Sequence, residues 1–212
     1  MDPSLRTQLR DIAGGYLRDA GGSHHLDHTI RVVENALVLA DYYPEADREV
    51  LEAAAWLHDV GRGQRNHAEV SARIAAERLP ALGFSPERAA LAVGAIADHR
   101  FSAGRIPASL EGNILQDADR LDALGAIGIA RAFSFEVTRE FYDPADPFAE
   151  QRAPDDSRYT VDHFYAKLLR LPETLHTPEA RKMAQRRAGF MRIFLHELAD
   201  EIGAPYPARD DR

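Results

Sequence analysis

The chain has 212 residues, 45% of them hydrophobic and 28% charged, enough for one domain, or a domain with a small appendage, around a substantial core. A net charge of −8 argues against broad binding to nucleic-acid polymers or anionic membranes, and the absence of cysteine excludes disulfides and thiolate metal sites. The opening stretch "MDPSLRTQLRDIAGGYLRDAGG" is charged throughout and lacks a signal-peptide core, and no uncharged run approaches the ~20 apolar residues of a membrane span, so a soluble cytoplasmic protein is expected.

Taken in order, the segments read as helix after helix. Residues 4–17 carry a weak amphipathic pattern ended by Gly21-Gly22, giving an N-terminal helix and linker over 1–22. Ser23 or Asp27 is placed to cap a second helix reaching about residue 43, in which Ile30, Val33, Leu37 and Ala40 keep a 3.6-residue period. Pro44 breaks it, and a third helix runs over 46–59. Residues 67–79 and 86–99 give two more, split by "LPALGFSP". "IPASLEGNILQDADRLDALGAIGIARAF" carries a helix ending near residue 124 and another continuing to about 137. Residues 142–160 hold three prolines, many acidic residues and no period, which is a loop. "VDHFYAKLLRL" and "EARKMAQRRAGFMRIFLHELADEI" return to helix, and 204–212 is expected to fray. No strand alternation occurs. The pattern predicts an all-α, single-domain helical bundle over 23–203 that includes the 142–160 loop.

"WLHDVGR", residues 56–62, closes an apolar run with a histidine beside an aspartate. Buried without partners, such groups cost about 1–3 kcal/mol each, and more for an ionised carboxylate. A metal ion would compensate them, since imidazole nitrogen and carboxylate oxygen are ligands for Mg, Mn or Fe(II). His28 stands at the start of the second helix, where it too can point to a shared centre. In "QDADRLDAL", Asp117 and Asp119 are about 200° apart on a helix and face opposite ways, whereas Asp119 and Asp122 are about 60° apart and share a face. Singly, each of these residues reads as a cap or a solvated turn. The ordered combination is more specific.

That order, "H…HD…D", resembles the signature of the HD-domain superfamily of metal-dependent phosphohydrolases, through His28 in "HTIRV", His58 and Asp59 in "LHDVG" and Asp119 in "ADRLDAL". The likeness is closer still to its YedJ/YpgQ-like subgroup, carried by "QDADRLDALGAIGIAR", "YDPADPFAEQR", "DHFYAKLLRLPETL" and "RRAGFM", and it spans about residues 23–200. The subgroup often has a His four residues before the ligand His, followed by Asp. Here His24 fits, His25 stands at the Asp position, and Asp27 is the nearest substitute.

The resemblance implies a helical bundle holding one divalent cation (Mn, Mg, Co, Ni or Fe) through His28, His58, Asp59 and Asp119; by helical phase Asp117 points away or supports the ligands from behind. It implies hydrolysis of a phosphate ester or anhydride of a small phosphorylated substrate, with nucleotides as the first candidates. His67 and His99 lie in the interval where binuclear members place two extra histidines; they hold a second metal, serve substrate phosphate as donors and acid, or are simply a surface His67 and a helix-ending His99. Asp122 is a candidate to orient or deprotonate the nucleophilic water. Arg31, one turn from His28, and His163 and Lys167, one turn apart in "DHFYAKLL", are candidate phosphate contacts, against a plain reading as charged helix faces. Arg186 and Arg187 read as a solvated face. Two rival functions stand beside hydrolysis: a binuclear iron oxygenase, and a non-catalytic regulatory module stabilised by metal.

Overall fold

Helix ends follow local capping chemistry, and those ends carry the site. The structure is a computed structural model describing residues 1–19, 24–100, 105–134 and 139–207, without the side chains of residues 18, 19, 24 and 25. Its α-helices are α1 (Pro3–Asp19), α2 (His24–Ala40), α3 (Arg48–Leu57), α4 (His67–Arg78), α5 (Pro86–Asp98), α6 (Leu110–Leu121), α7 (Gly125–Ser134), α8 (Thr160–Ala166), α9 (Leu171–Thr174) and α10 (Pro178–Ile202). Among the described residues the β pairing is an isolated bridge between Glu140 and Tyr159, so the architecture is all-α. No described helix is long and apolar enough to cross a membrane. The chain falls into two compact units, residues 1–119 and 120–212.

In the first unit α3 is the central rod. Residues 50–57 are all buried, as expected of a helix apolar on every side, and α3 packs against α1, α2 and α5. Asp47 caps it, its carboxylate accepting from the Glu49 and Val50 N–H groups at 3.1 Å each. Arg88 of α5 grips both oxygens of that carboxylate at 2.7 Å, which ties the start of α5 to the start of α3. At the other end of the unit the Asn35 side-chain amide donates to the Ala118 carbonyl at 3.3 Å, and Gln116 donates to the Asp98 carbonyl at 2.9 Å. These two bonds fix α6 against α2 and against the end of α5.

Two helices stop earlier than their apolar periods suggest. α2 ends at Ala40 rather than near 43, because Tyr42 and Tyr43 N–H reach back three residues to the Leu39 and Ala40 carbonyls at 3.0 Å, in a turn that Pro44 forces on its neighbours. α3 ends at Leu57, leaving His58 and Asp59 in the turn that follows. Ser23, a proposed cap for α2, lies outside the described residues, and Asp27 sits in the first turn, where a negative charge suits the helix dipole. The stretch 135–138, to which the seventh helix was expected to extend, also lies outside the described residues.

The second unit is built on α7, α8 and α10, with Phe133, Phe164 and Phe194 packed together; the Phe164 and Phe194 rings stack at 5.9 Å. After α8 the expected single helix breaks into a 3-10 turn (Leu168–Arg170) and the short α9, because Lys167 leaves helical backbone geometry with φ −136° and ψ −58°. The 142–160 loop is ordered by one side chain. The Arg152 guanidinium pairs with the fully buried Asp162 carboxylate, with Asp143 and with the Asp146 carbonyl, and lies over the Tyr159 ring at 4.8 Å. Arg187 departs from the solvated-face expectation. It is half-buried against Gly125 and donates to the Leu121 carbonyl at 2.5 Å; Gly125 has φ 73°, and a Cβ there would press to 3.3 Å from the arginine stem. Of the tail expected to fray, the Tyr206 ring stacks on His196 at 3.9 Å and Pro207 is buried, while Pro205 is exposed; 208–212 lie outside the described residues.

Candidate metal centre

Helix ends converge in the first unit. α2 contributes His28, the end of α3 His58 and then Asp59, the start of α4 His67, the end of α5 His99, and α6 Asp119. His58 and His99 occupy the same local position, each the C-cap of its helix. There the last carbonyls have no helical N–H partner. The Nδ1 of His58 lies 2.8 Å from the Ala55 carbonyl and that of His99 2.7 Å from the Ile96 carbonyl, so each ring donates through Nδ1 and turns Nε2 toward the centre.

Asp59 is the hub. Its Oδ2 lies 3.8 Å from both His28 Nε2 and His58 Nε2, and its Oδ1 lies 3.7 Å from both His67 Nε2 and His99 Nε2. Asp119 Oδ1 lies 3.2 Å from His28 Nε2. The ligand-type atoms thus form two groups, His28–His58–Asp119 and Asp59–His67–His99, each with its atoms within 4.8 Å of one another. Asp59 presents one oxygen to each.

Do these residues fit a cation? The Nε2 of His58 is buried and makes no hydrogen bond. A ring nitrogen left in that state costs about 1–3 kcal/mol, and a cation accepted on its lone pair removes the cost. The donors are imidazole and carboxylate only, a set suited to Mn, Fe or Zn and, through the oxygens, to Mg. Either group, His28–His58–Asp119 or Asp59–His67–His99, has donor chemistry that fits a cation.

The electrostatics keep the ligands in binding form. Burial pushes His58 down to about 4, helped by the charges of His99 and His28 and opposed by Asp59 and Asp119, so the ring is neutral at pH 7. Burial alone would raise Asp59, yet His58, His99 and Arg62 hold it well below the ordinary carboxylate range. Burial likewise opposes the charge of Asp119, and His28, His58 and His99 outweigh it. Burial opposes protonation of His99 as well, but the Asp59 and Asp119 carboxylates carry it above an ordinary histidine. His67 goes the other way, lowered by burial and by the charges of His99, Arg62 and Arg100.

These shifts predict an acid-labile metal-free protein. His58 titrates near 4 when folded against 6.5 when unfolded, so the unfolded chain takes up the proton first as pH falls. The stability this represents, on the order of 3 kcal/mol, is present above pH 6.5 and lost between 6.5 and 4. The depressed Asp59 and Asp119 add a further loss at lower pH, whereas the raised His99 contributes stability that disappears as pH rises through its folded value. Urea unfolding in chelator at stepped pH measures the sum, and a flat profile from 6.5 to 4 would contradict the burial assigned to His58.

The remaining sequence candidates fall in different places. Arg31 is in the first unit, half-buried one turn along α2 from His28. Asp117 is fully buried and belongs to neither ligand group; Asp119 does. Asp122 is in the second unit, where its buried carboxylate pairs with Arg131. His163 and Lys167, also in the second unit, both face Asp156, at 3.0 and 2.7 Å. The His24 and His25 side chains lie outside the described residues. One neighbour of the centre escaped sequence reasoning: Arg62, whose Nη1 is 2.5 Å from Asp59 Oδ2. Its spacing of three from Asp59 was the available signal.

An all-α chain whose helix ends gather three or more histidines about a shared aspartate is a metal-site fold of a definite class. Residues 26–124 match the HD-domain family. The chain is 32% identical over 200 residues to an uncharacterized protein of Bacillus subtilis, YpgQ, covering 92% of each. The crystal structure of B. subtilis YpgQ in complex with ADP is similar at 30% identity and a TM-score of 0.70, over 98% of this chain and 95% of that one. An HD-superfamily hydrolase from Bacillus thuringiensis is similar at 29% identity and a TM-score of 0.79, over 97% and 100%. The chain belongs to the HD-domain superfamily, with the fold of its hydrolases. Within that superfamily it stands with the YpgQ-like proteins, and a divalent metal centre comes with the domain.

Proposed function

We propose that the chain is a cytoplasmic phosphohydrolase that depends on a divalent metal and cleaves a phosphate ester or anhydride of a small phosphorylated metabolite, a nucleotide in the first instance. The observation that carries this reading is the unpartnered His58 Nε2 inside a cluster of histidines and aspartates centred on Asp59. The ADP complex of YpgQ favours a nucleotide over other phosphate esters, and the net charge of −8 favours a small substrate over a nucleic-acid polymer or a membrane.

In this reading His28, His58, Asp59 and Asp119 hold one cation of the Mn, Mg, Co, Ni or Fe type. Such a cation supplies Lewis acidity, acidifying water and neutralising charge on a phosphoryl oxygen. The chain's own part is orientation: the Ala55 and Ile96 carbonyls lock the His58 and His99 rings, so their Nε2 atoms do not have to reorganise. His67 and His99 converge on Asp59 Oδ1, which supports a second cation there; in a one-cation protein the same two rings serve as donors to substrate phosphate. Arg31 adds positive charge in the same unit. Asp122, His163 and Lys167 stay candidates on sequence grounds, each exchanging its present partner, Arg131 or Asp156, for substrate or water.

A panel of phosphorylated metabolites assayed with Mn²⁺, Mg²⁺, Co²⁺ and Ni²⁺ tests the proposal. The expected result is release of phosphate or pyrophosphate that requires metal and stops with chelator. Absence of release from every compound with every metal would refute it. A second reading has the Asp59–His67–His99 group in its favour: two irons and oxidation of substrate. Two tightly bound irons per chain with oxygen uptake would select that reading, and one cation with phosphate release would exclude it.

A further inference from the structure

Arg62 pairs with the Asp59 oxygen that faces the His28–His58–Asp119 group. Arg62 Nη1 sits 2.5 Å from Asp59 Oδ2, the same oxygen that faces His28 Nε2 and His58 Nε2 at 3.8 Å. The opposite oxygen, Oδ1, faces His67 and His99. Asp59 is buried, with 4% of its side chain exposed, whereas Arg62 is 35% exposed. The backbone around them is pinned. Gly61 N–H donates to Ser71 Oγ at 2.9 Å, Arg62 N–H donates to the Asp59 carbonyl at 2.9 Å, and a Cβ on Gly61 would fall 2.6 Å from the His67 carbonyl oxygen. The Arg62 side chain itself borders water.

From this we infer that Arg62 is a resident counter-ion of Asp59, exchanged for a divalent cation when one enters the His28–His58–Asp119 group. The guanidinium keeps the buried carboxylate paired while no cation is bound. A cation held by this group would compensate the Asp59 carboxylate in place of the guanidinium and would repel it toward solvent. Arg62 is therefore a positioning residue that acts through Asp59, and it weakens cation binding rather than assisting it. The inference rests on this group accepting a cation, and not on which reaction the protein catalyses.

The test is Mn²⁺ titration of the chelator-stripped full chain, followed by calorimetry and by electron paramagnetic resonance of free Mn²⁺, without substrate. Arg62→Gln, which keeps the length and loses the charge, is expected to bind Mn²⁺ about tenfold more tightly than wild type, because no like charge has to be expelled. Arg62→Lys should fall between them, since ammonium keeps the charge without the planar fork. Arg48→Gln, which removes an equal charge from a surface pair with Asp41, controls for overall charge and should match wild type. The stripped Arg62→Gln protein should also melt at a lower temperature than wild type, with the difference abolished at saturating Mn²⁺. Unchanged or weaker Mn²⁺ binding in Arg62→Gln would overturn the exchange and make Arg62 an orienting support for Asp59. Lack of Mn²⁺ binding by wild type would overturn the cation site itself, a separate outcome from loss of phosphohydrolase activity with binding intact.

Discussion

Replacing His58 by alanine is expected to remove the tightly bound cation and to lower metal-dependent hydrolysis by more than about 100-fold. The estimate follows from the place of the residue. Losing an outer partner of a metal ligand typically costs 10–100-fold in affinity or activity, and His58 is itself a ligand in this reading. Its Nε2 has no hydrogen bond to fall back on, and its Nδ1 is committed to the Ala55 carbonyl, so no other atom takes its place. Asp59→Ala should be at least as damaging, because that carboxylate faces all four histidines of the centre. Stability separates a lost ligand from a damaged fold. A ligand present at about 1,000 times its dissociation constant adds ~4 kcal/mol to the folded state. Wild type should therefore melt higher with saturating Mn²⁺ than with chelator, and His58→Ala should show almost no such difference. A His58→Ala protein that keeps stoichiometric metal and wild-type turnover would remove His58 from the centre.

His58 and Asp59 stood out in the sequence because they close an apolar helix. His58 and Asp59 follow a run from Val50 to Leu57 that is buried throughout, and a polar pair at such a place demands compensation. Helical phase separated Asp117 from Asp119; in the structure Asp119 Oδ1 lies 3.2 Å from His28 Nε2, and Asp117 is fully buried. Arg62 carried only a faint signal, its spacing of three from Asp59. It follows Gly61 in a turn, where a charged residue reads as solvent-facing, and only folding reveals that its guanidinium reaches back to Asp59. The same limit hid the pairing of Asp122 with Arg131 and the burial of Arg187 against Gly125, since no periodicity encodes which arginine meets which acceptor. Helix existence was legible and helix ends less so. The break at Lys167 lies in its backbone angles and leaves no mark on the apolar pattern of "VDHFYAKLLRL".

The 142–160 loop shows the same thing on a larger scale, and it supports a strong stability prediction. Three prolines and scattered acids suggested little more than a loop, yet Arg152 draws together Asp143, Asp146 and Asp162. Its guanidinium meets Asp162, whose side chain is wholly buried, and the Asp155 N–H adds a bond to the same carboxylate at 2.6 Å. Asp146 closes the neighbouring turn by accepting from the Glu150 and Gln151 N–H groups at 2.9 and 3.0 Å. Arg152→Ala should destabilise the protein by about 3–5 kcal/mol, the usual result of stripping one partner from a buried ion pair. The Asp155 N–H alone cannot compensate a carboxylate that water does not reach. The penalty belongs to the stranded charge rather than to the pair, so removing that charge as well should recover part of it. The double variant Arg152→Ala/Asp162→Asn is therefore expected to unfold at higher urea than Arg152→Ala alone, although below wild type. If the two substitutions simply add, with the double variant weaker than either single one, the buried pair is not what orders the loop. If Arg152→Ala unfolds with wild type, the guanidinium contributes nothing that solvent does not replace.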